Sequence, residues 1–233
     1  MKHIIPILTA GVLLTNASFA LAADPEATHL ATIQARGVTD ITARTTAISG
    51  LVNEVASAKK LSDTQKSTLT AELKTESIAL QTLGAALAAD TTVATAKTDF
   101  QRIFTEHYIF ALYLPKMKRI TSTDSELDAA AKITSLVPKL EDYISKANDK
   151  KVDVTTMTTT LTEAQSKITE ATTLATTASA TLLTITPADY PANKTTLEGT
   201  RANIKTARAD LEVARKDIRS LETMLKAVLT SVE

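Results

Sequence analysis

The chain has 233 residues, no cysteine, 26 basic and 26 acidic side chains, 44% hydrophobic residues and only 3% aromatics. Disulfides, thiolate metal sites, cysteine nucleophiles and a lipid-modified N-terminal cysteine are therefore excluded. The even charge balance leaves no electrostatic footprint for nucleic acid. With 5 glycines and 6 prolines the chain lacks the turn-formers of an all-β protein. Alanine and threonine instead suit long helices packed through small side chains.

Lys2 and His3, an apolar run from Ile4 to about Ala20, and the small-x-small triplet Ala20-Leu21-Ala22 form the tripartite pattern of a secretory signal peptide. Cleavage is expected between Ala22 and Ala23. The rival is an uncleaved anchor, since the run is about long enough to span a bilayer. Cleavage removes only Lys2 among the charges and leaves one excess carboxylate. No stable membrane insertion is expected afterwards, and the mature chain is expected to be secreted or extracytoplasmic, in the periplasm or at the cell surface.

A first helix is expected from about Glu26 to Lys60, with a ridge of Val38, Ile41, Ile48, Leu51, Val52 and Val55, weakened at Gly37 and Gly50. Ser62-Asp63-Thr64-Gln65 reads as a capping box for a second helix, whose leucine stripe is interrupted at Glu76 and Ser77. A third helix follows Asp90-Thr91-Thr92, with Val93, Ala96, Phe100, Ile103, His107, Phe110 and Leu114 at heptad spacing. It is apolar all round near its end, as in a helix covered by neighbours on every side. Pro115 is expected to end or kink it, and Lys116, Lys118 and Arg119 to return the chain to solvent. A fourth helix is expected after Ser122-Thr123-Asp124-Ser125, kinked at Pro138.

The last third is the most regular. Val154, Leu161, Ile168, Ala175 and Leu182 recur every seven residues, with Met157, Ala164, Ala171, Ala178 and Ile185 three positions later. After a connector from Thr186 to Asn193, Leu197, Ile204, Leu211, Ile218, Leu225 and Val232 repeat the pattern. The reading is all-α: an elongated bundle of five or six helices finishing in an antiparallel coiled-coil hairpin. The chain divides into a signal peptide (1–22), a helical bundle (23–150) and the hairpin (151–233). Heptad seams can close within the chain or between copies, so a homo-oligomer is open. The threonines from Thr155 to Thr162 are a solvated face or, in a secreted protein, O-glycosylation acceptors.

Little carries chemistry. There is no Gly-x-Ser-x-Gly elbow, phosphate loop, dinucleotide fingerprint or His-Glu-x-x-His. His107 is a metal or haem ligand or, more simply, a core histidine satisfied by a hydrogen bond; Glu76 is a neutral or paired core-side carboxylate or, more simply, the edge of the stripe, with no second carboxylate as an acid/base partner. No catalytic residue, cofactor or metal is expected, so the chain reads as no enzyme. Five of the eight aromatics lie between Phe100 and Tyr113. That cluster is packed core, or a patch for a partner helix, an unfolded client or a lipid surface, with Phe104, Tyr108 and Tyr113 as interaction candidates. Arg201, Arg208 and Arg215 recur every seven residues beside the last seam. They read as a coiled-coil edge, or as a basic ladder for a polyanion that Asp210 and Asp217 argue against.

The strings Lys59-Lys-Leu-Ser-Asp-Thr-Gln-Lys-Ser-Thr-Leu69, Ala89-Asp-Thr-Thr-Val-Ala-Thr95, Tyr108-Ile-Phe-Ala-Leu-Tyr-Leu-Pro-Lys-Met117 and Lys205-Thr-Ala-Arg-Ala-Asp-Leu-Glu-Val-Ala-Arg-Lys-Asp217 occur in this order. Together the chain resembles a group of uncharacterised secreted, all-helical (coiled-coil-like) proteins of candidate-phylum bacteria. Ser77 departs from the apolar residue that pattern implies. The resemblance implies fold and export and carries over no site residues. The function expected is a structural or protein-interaction module for an unknown protein or cell-surface partner. The alternative is an extracytoplasmic helical chaperone or ligand carrier using the aromatic region of the third helix.

Overall fold

The computed structural model describes residues 24–231, with side chains through Val228. The expected signal segment and its Ala22–Ala23 cleavage point lie outside the described residues. Within them the chain is all-α, without strands. Five long helices, α1 (Pro25–Ser57), α2 (Asp63–Ala89), α4 (Leu114–Thr134), α6 (Thr155–Thr184) and α7 (Lys194–Ser231), are joined by two 13-residue helices, α3 (Val93–Thr105) and α5 (Val137–Asp149).

The first three helices begin with side-chain caps. Asp24 accepts from Glu26 N at 2.9 Å, and Pro25, lacking an N–H, sits in the first turn where none is needed. Ser62 and Gln65 close their box reciprocally, at 3.2 and 2.8 Å. Thr92 accepts from Thr95 N at 3.2 Å. The C-terminal carbonyls of α2 are taken by Gln34 of α1, whose amide donates to Leu87 O and Asp90 O at 3.1 Å.

Two boundaries differ from the sequence reading. The third helix stops at Thr105, and a π-helical turn over Ile109–Tyr113 leads without a break into α4. There Tyr113 N bonds Tyr108 O at 3.1 Å, five residues back. Pro115 opens α4 rather than ending a helix, because the first turn leaves N–H groups unpaired in any case. Ser122-Thr123-Asp124-Ser125 lies inside α4, and the break comes at Ser135–Leu136, with Pro138 opening α5. Asp124 caps a different element. Its carboxylate accepts from Lys59 N at 2.7 Å, Leu61 N at 2.9 Å and Lys60 N, tying the loop between α1 and α2 to α4.

Buried apolar residues form two clusters. The first joins α1, α2, α3, the π turn and the start of α4 with Leu182, Ile185 and Leu197. The second joins the end of α4 with α5, α6 and α7, through Ile133, Leu140, Leu161, Ile168, Leu211, Ile218 and Leu225 among others. It draws on residues on both sides of position 150. Each fully buried leucine or isoleucine contributes roughly 1.5–3 kcal/mol. On α1 the buried face runs through Ile33, Gly37, Ile41, Arg44, Ile48, Leu51 and Val55. Val38, read as part of the ridge, is 58% exposed, because Gly37 holds that place. A Cβ at Gly37 would lie 2.0 Å from Leu87 Cδ2, so α1 and α2 meet there more closely than a side chain permits.

Candidate functional site

Among the described residues a concentration of buried and nearly buried polar groups surrounds the π turn. Glu72 and Glu76 stand one turn apart on α2, where the leucine stripe Leu69, Leu73, Leu80, Leu83 is interrupted. His107 fills the equivalent place at the end of the third helix's stripe. Its Nδ1 lies 2.8 Å from Glu76 Oε1, and both side chains are nearly buried. Two polar gaps in two apolar stripes thus face each other and satisfy each other, as burial requires. Tyr113 is 4% exposed, and its phenol feels the charge of the Glu76 carboxylate. Burial first, then the negative charges of Glu76 and Glu72, push the phenol well above its usual range.

Lys116 completes the group. It is 2% exposed, against the expectation that it faces solvent. Its ammonium donates to both oxygens of Glu72, at 2.9 and 3.0 Å, and to Ile185 O at 2.9 Å. All three ammonium protons therefore have partners, and the positive charge sits at the C-terminal end of α6, where the helix dipole favours it. Beside it Tyr108 packs on Tyr190 of the α6–α7 connector, with ring centroids 4.6 Å apart.

The other sequence candidates fall elsewhere. His29 is exposed near the start of α1. Glu106 turns away from His107 and chelates Arg102 at 2.9 and 3.1 Å. Phe104 and Phe110 are 44% and 47% exposed, and Arg44 of α1 lies over both rings at 4.6 and 5.1 Å from the centroids. Arg36 lies 5.4 Å from the Phe100 centroid. The interaction candidates therefore separate: Phe104 is on the surface and Tyr108 is half-buried, whereas Tyr113 is a core residue and is no surface contact. Ile109 and Leu112 are also fully buried.

Sequence reasoning singled out His107 and Glu76 but missed their pairing, missed Glu72, and placed Lys116 in solvent. The signal for Lys116 was present: Leu112, Lys116 and Ile120 are spaced four apart, and both outer members are fully buried.

Chemically the group holds two carboxylates, an imidazole, a phenol and an ammonium, with Glu76 engaged by His107 and Glu72 by Lys116. The arrangement fixes the π turn between α2 and the end of α6. Among the described residues no group of three or more histidine, aspartate or glutamate side chains is placed to hold a metal ion. No described helix is long and apolar enough to cross a membrane. Comparison with known proteins gives no match to any family model, curated protein or solved structure.

Proposed function

We propose that the chain is a non-enzymatic, extracytoplasmic structural or protein-interaction module: an elongated helical bundle ending in an antiparallel coiled-coil hairpin. The observation that carries this reading is that α4, α6 and α7 each contribute to both buried clusters, α6 and α7 through their connector ends, so these helices tie the two together. The hairpin rests on the Lys167–Asp210 pair at 3.2 Å, which joins residues about equally far from the connector. It rests also on the fully buried alanines Ala164, Ala175, Ala178, Ala207 and Ala214, which let the two axes approach. A stiff rod of this kind spaces or presents partners in the cell envelope or between cells. Export follows from the signal-peptide pattern and agrees with the resemblance to secreted all-helical proteins. Small-angle scattering with light scattering on the exported protein tests the shape, and mass spectrometry tests an N-terminus at Ala23. A compact, near-spherical particle is the outcome that sinks the spacer role.

The half-exposed Phe104 and Phe110 favour a second reading, a helical chaperone or ligand carrier that uses this aromatic surface. A dye reporting exposed apolar surface separates the two. Strong binding abolished in a Phe104→Ser/Phe110→Ser variant supports the carrier; no binding supports the spacer.

A further inference from the structure

The basic residues of α4 and α7 that look unrelated in sequence converge on one groove. It measures about 500 Å³ and is lined by Pro115, Lys118, Arg119 and Ser122 of the first helix and by Arg201, Ile204, Lys205 and Arg208 of the second. Five of its eight lining residues are cations and none is acidic, in a chain whose formal net charge is zero.

The five cations are not equivalent. Lys118 is paired with Glu54. Arg119 binds Glu198 at 2.9 Å, and Arg208 binds Glu126 at 2.8 Å and Ser122 Oγ at 3.2 Å. Arg119 also donates to Leu197 O, so these side chains are held in place from behind. Arg201 and Lys205, one helical turn apart, form no ion pair among the described residues. Glu198 is held below the usual carboxylate range mainly by its bond to Arg119 and to a lesser degree by the charge of Arg201. The groove therefore offers two uncommitted positive charges on a surface of neutralised ones, over an apolar floor at Ile204.

We propose that this groove binds a phosphate monoester of a small soluble molecule. Two uncommitted cations match the charge of about −1.5 to −2 that a phosphomonoester carries at neutral pH. The planar guanidinium of Arg201 presents paired donors in the geometry that phosphate accepts, and Lys205 supplies a point charge. A concave site between two helices suits a compact anion; the flat face of a bilayer does not enter it. The same phosphate chemistry occurs on phosphatidic acid headgroups, and the test includes that source.

The experiment titrates purified full-length protein with inorganic phosphate, followed by phosphorus NMR line broadening. The result expected is saturable binding that weakens as salt is raised. It should strengthen as pH rises and the anion loses its second proton. Arg201→Ala/Lys205→Ala removes two charged contacts and should weaken binding by about tenfold or more. Arg215→Ala, the next basic residue of the heptad row but outside the groove, should leave it unchanged. Circular dichroism confirms that the exposed substitutions preserve the helices. Co-flotation with vesicles of phosphatidic acid in phosphatidylcholine supplies the second arm, and no flotation is expected. Absence of saturation, equal loss in Arg215→Ala, indifference to pH, or binding only to the vesicles each overturns the proposal.

Discussion

Glycine at position 37 and glycine at position 50 look alike in sequence, both inside a long helix where each costs up to about 1 kcal/mol against alanine. Their surroundings set them apart. Gly50 has nothing within 4 Å of an added Cβ, whereas Gly37 faces Leu87 Cδ2 at 2.0 Å. Gly50→Ala should therefore raise stability by about 0.5–1 kcal/mol. Gly37→Ala should lower it by about 1–3 kcal/mol, because Leu87 is 1% exposed and has nowhere to move. Urea unfolding of the two variants checks this, and equal effects would refute the close approach of α1 and α2. Tyr113 makes a prediction in pH. Its folded pKa lies above the unfolded value near 10, so its contribution is present in full below that pH. It is lost as pH rises toward the folded value, since the unfolded chain then releases a proton that the native one keeps. Melting temperatures between pH 9 and 11 should fall more steeply for the native protein than for Tyr113→Phe, by at most about 1.4 kcal/mol per pH unit. At this scale the sequence exposed the oddities but not their partners. A polar residue on an apolar stripe is visible from spacing alone; that Glu76 meets His107 across 31 positions depends on how two helices are aligned.

At the scale of the element, the long heptad helices were readable because period, caps and length agree. The chain between Glu106 and Leu136 was not, because its local signals admit two meanings. Proline stops a helix only when it falls in the interior; at Pro115 and Pro138 it sits in the first turn and starts one. Ser122-Thr123-Asp124-Ser125 has the composition of an N-cap, yet Asp124 spends its carboxylate on the three amides of the α1–α2 loop. The distinction can be measured. A helix N-cap at Ser122 would make Ser122→Ala cost about 1 kcal/mol. Inside α4 it should cost under about 0.5 kcal/mol. Asp124→Asn, which turns amide hydrogens toward backbone donors in a buried place, should cost about 1–3 kcal/mol. Protection of the amides of Lys59, Lys60 and Leu61 from hydrogen exchange should fall in the same variant. Unchanged protection there would mean that the loop is held by something other than Asp124.

For the whole molecule the question is whether two apolar clusters make one folding unit. The heptad rows told where each helix hides its apolar edge; they did not tell that two clusters share helices, because that depends on α4 leaving one and entering the other. Met117 and Ile120 belong to the first cluster, while Ala130 and Ile133 of the same helix belong to the second. Leu182 of α6 and Leu197 of α7 reach the first cluster from helices otherwise committed to the second. Lys116 adds a buried bond from α4 to Ile185 O at this junction. A helix that crosses both clusters cannot lose its order in one without disturbing its register in the other. Thermal unfolding should therefore be a single transition whose calorimetric and van't Hoff enthalpies agree. Leu80→Ala in the first cluster and Ile168→Ala in the second should each cost about 2–5 kcal/mol and lower that same transition. Lys116→Met acts on the junction itself. It leaves partly exposed Glu72 without its partner and Ile185 O without its donor, so it should destabilise by about 1–3 kcal/mol. If the junction is what couples the clusters, its melt should also broaden or divide in two. Two resolved transitions in the unaltered protein would show that the shared helices do not transmit stability, and the two clusters would then be separate folding units.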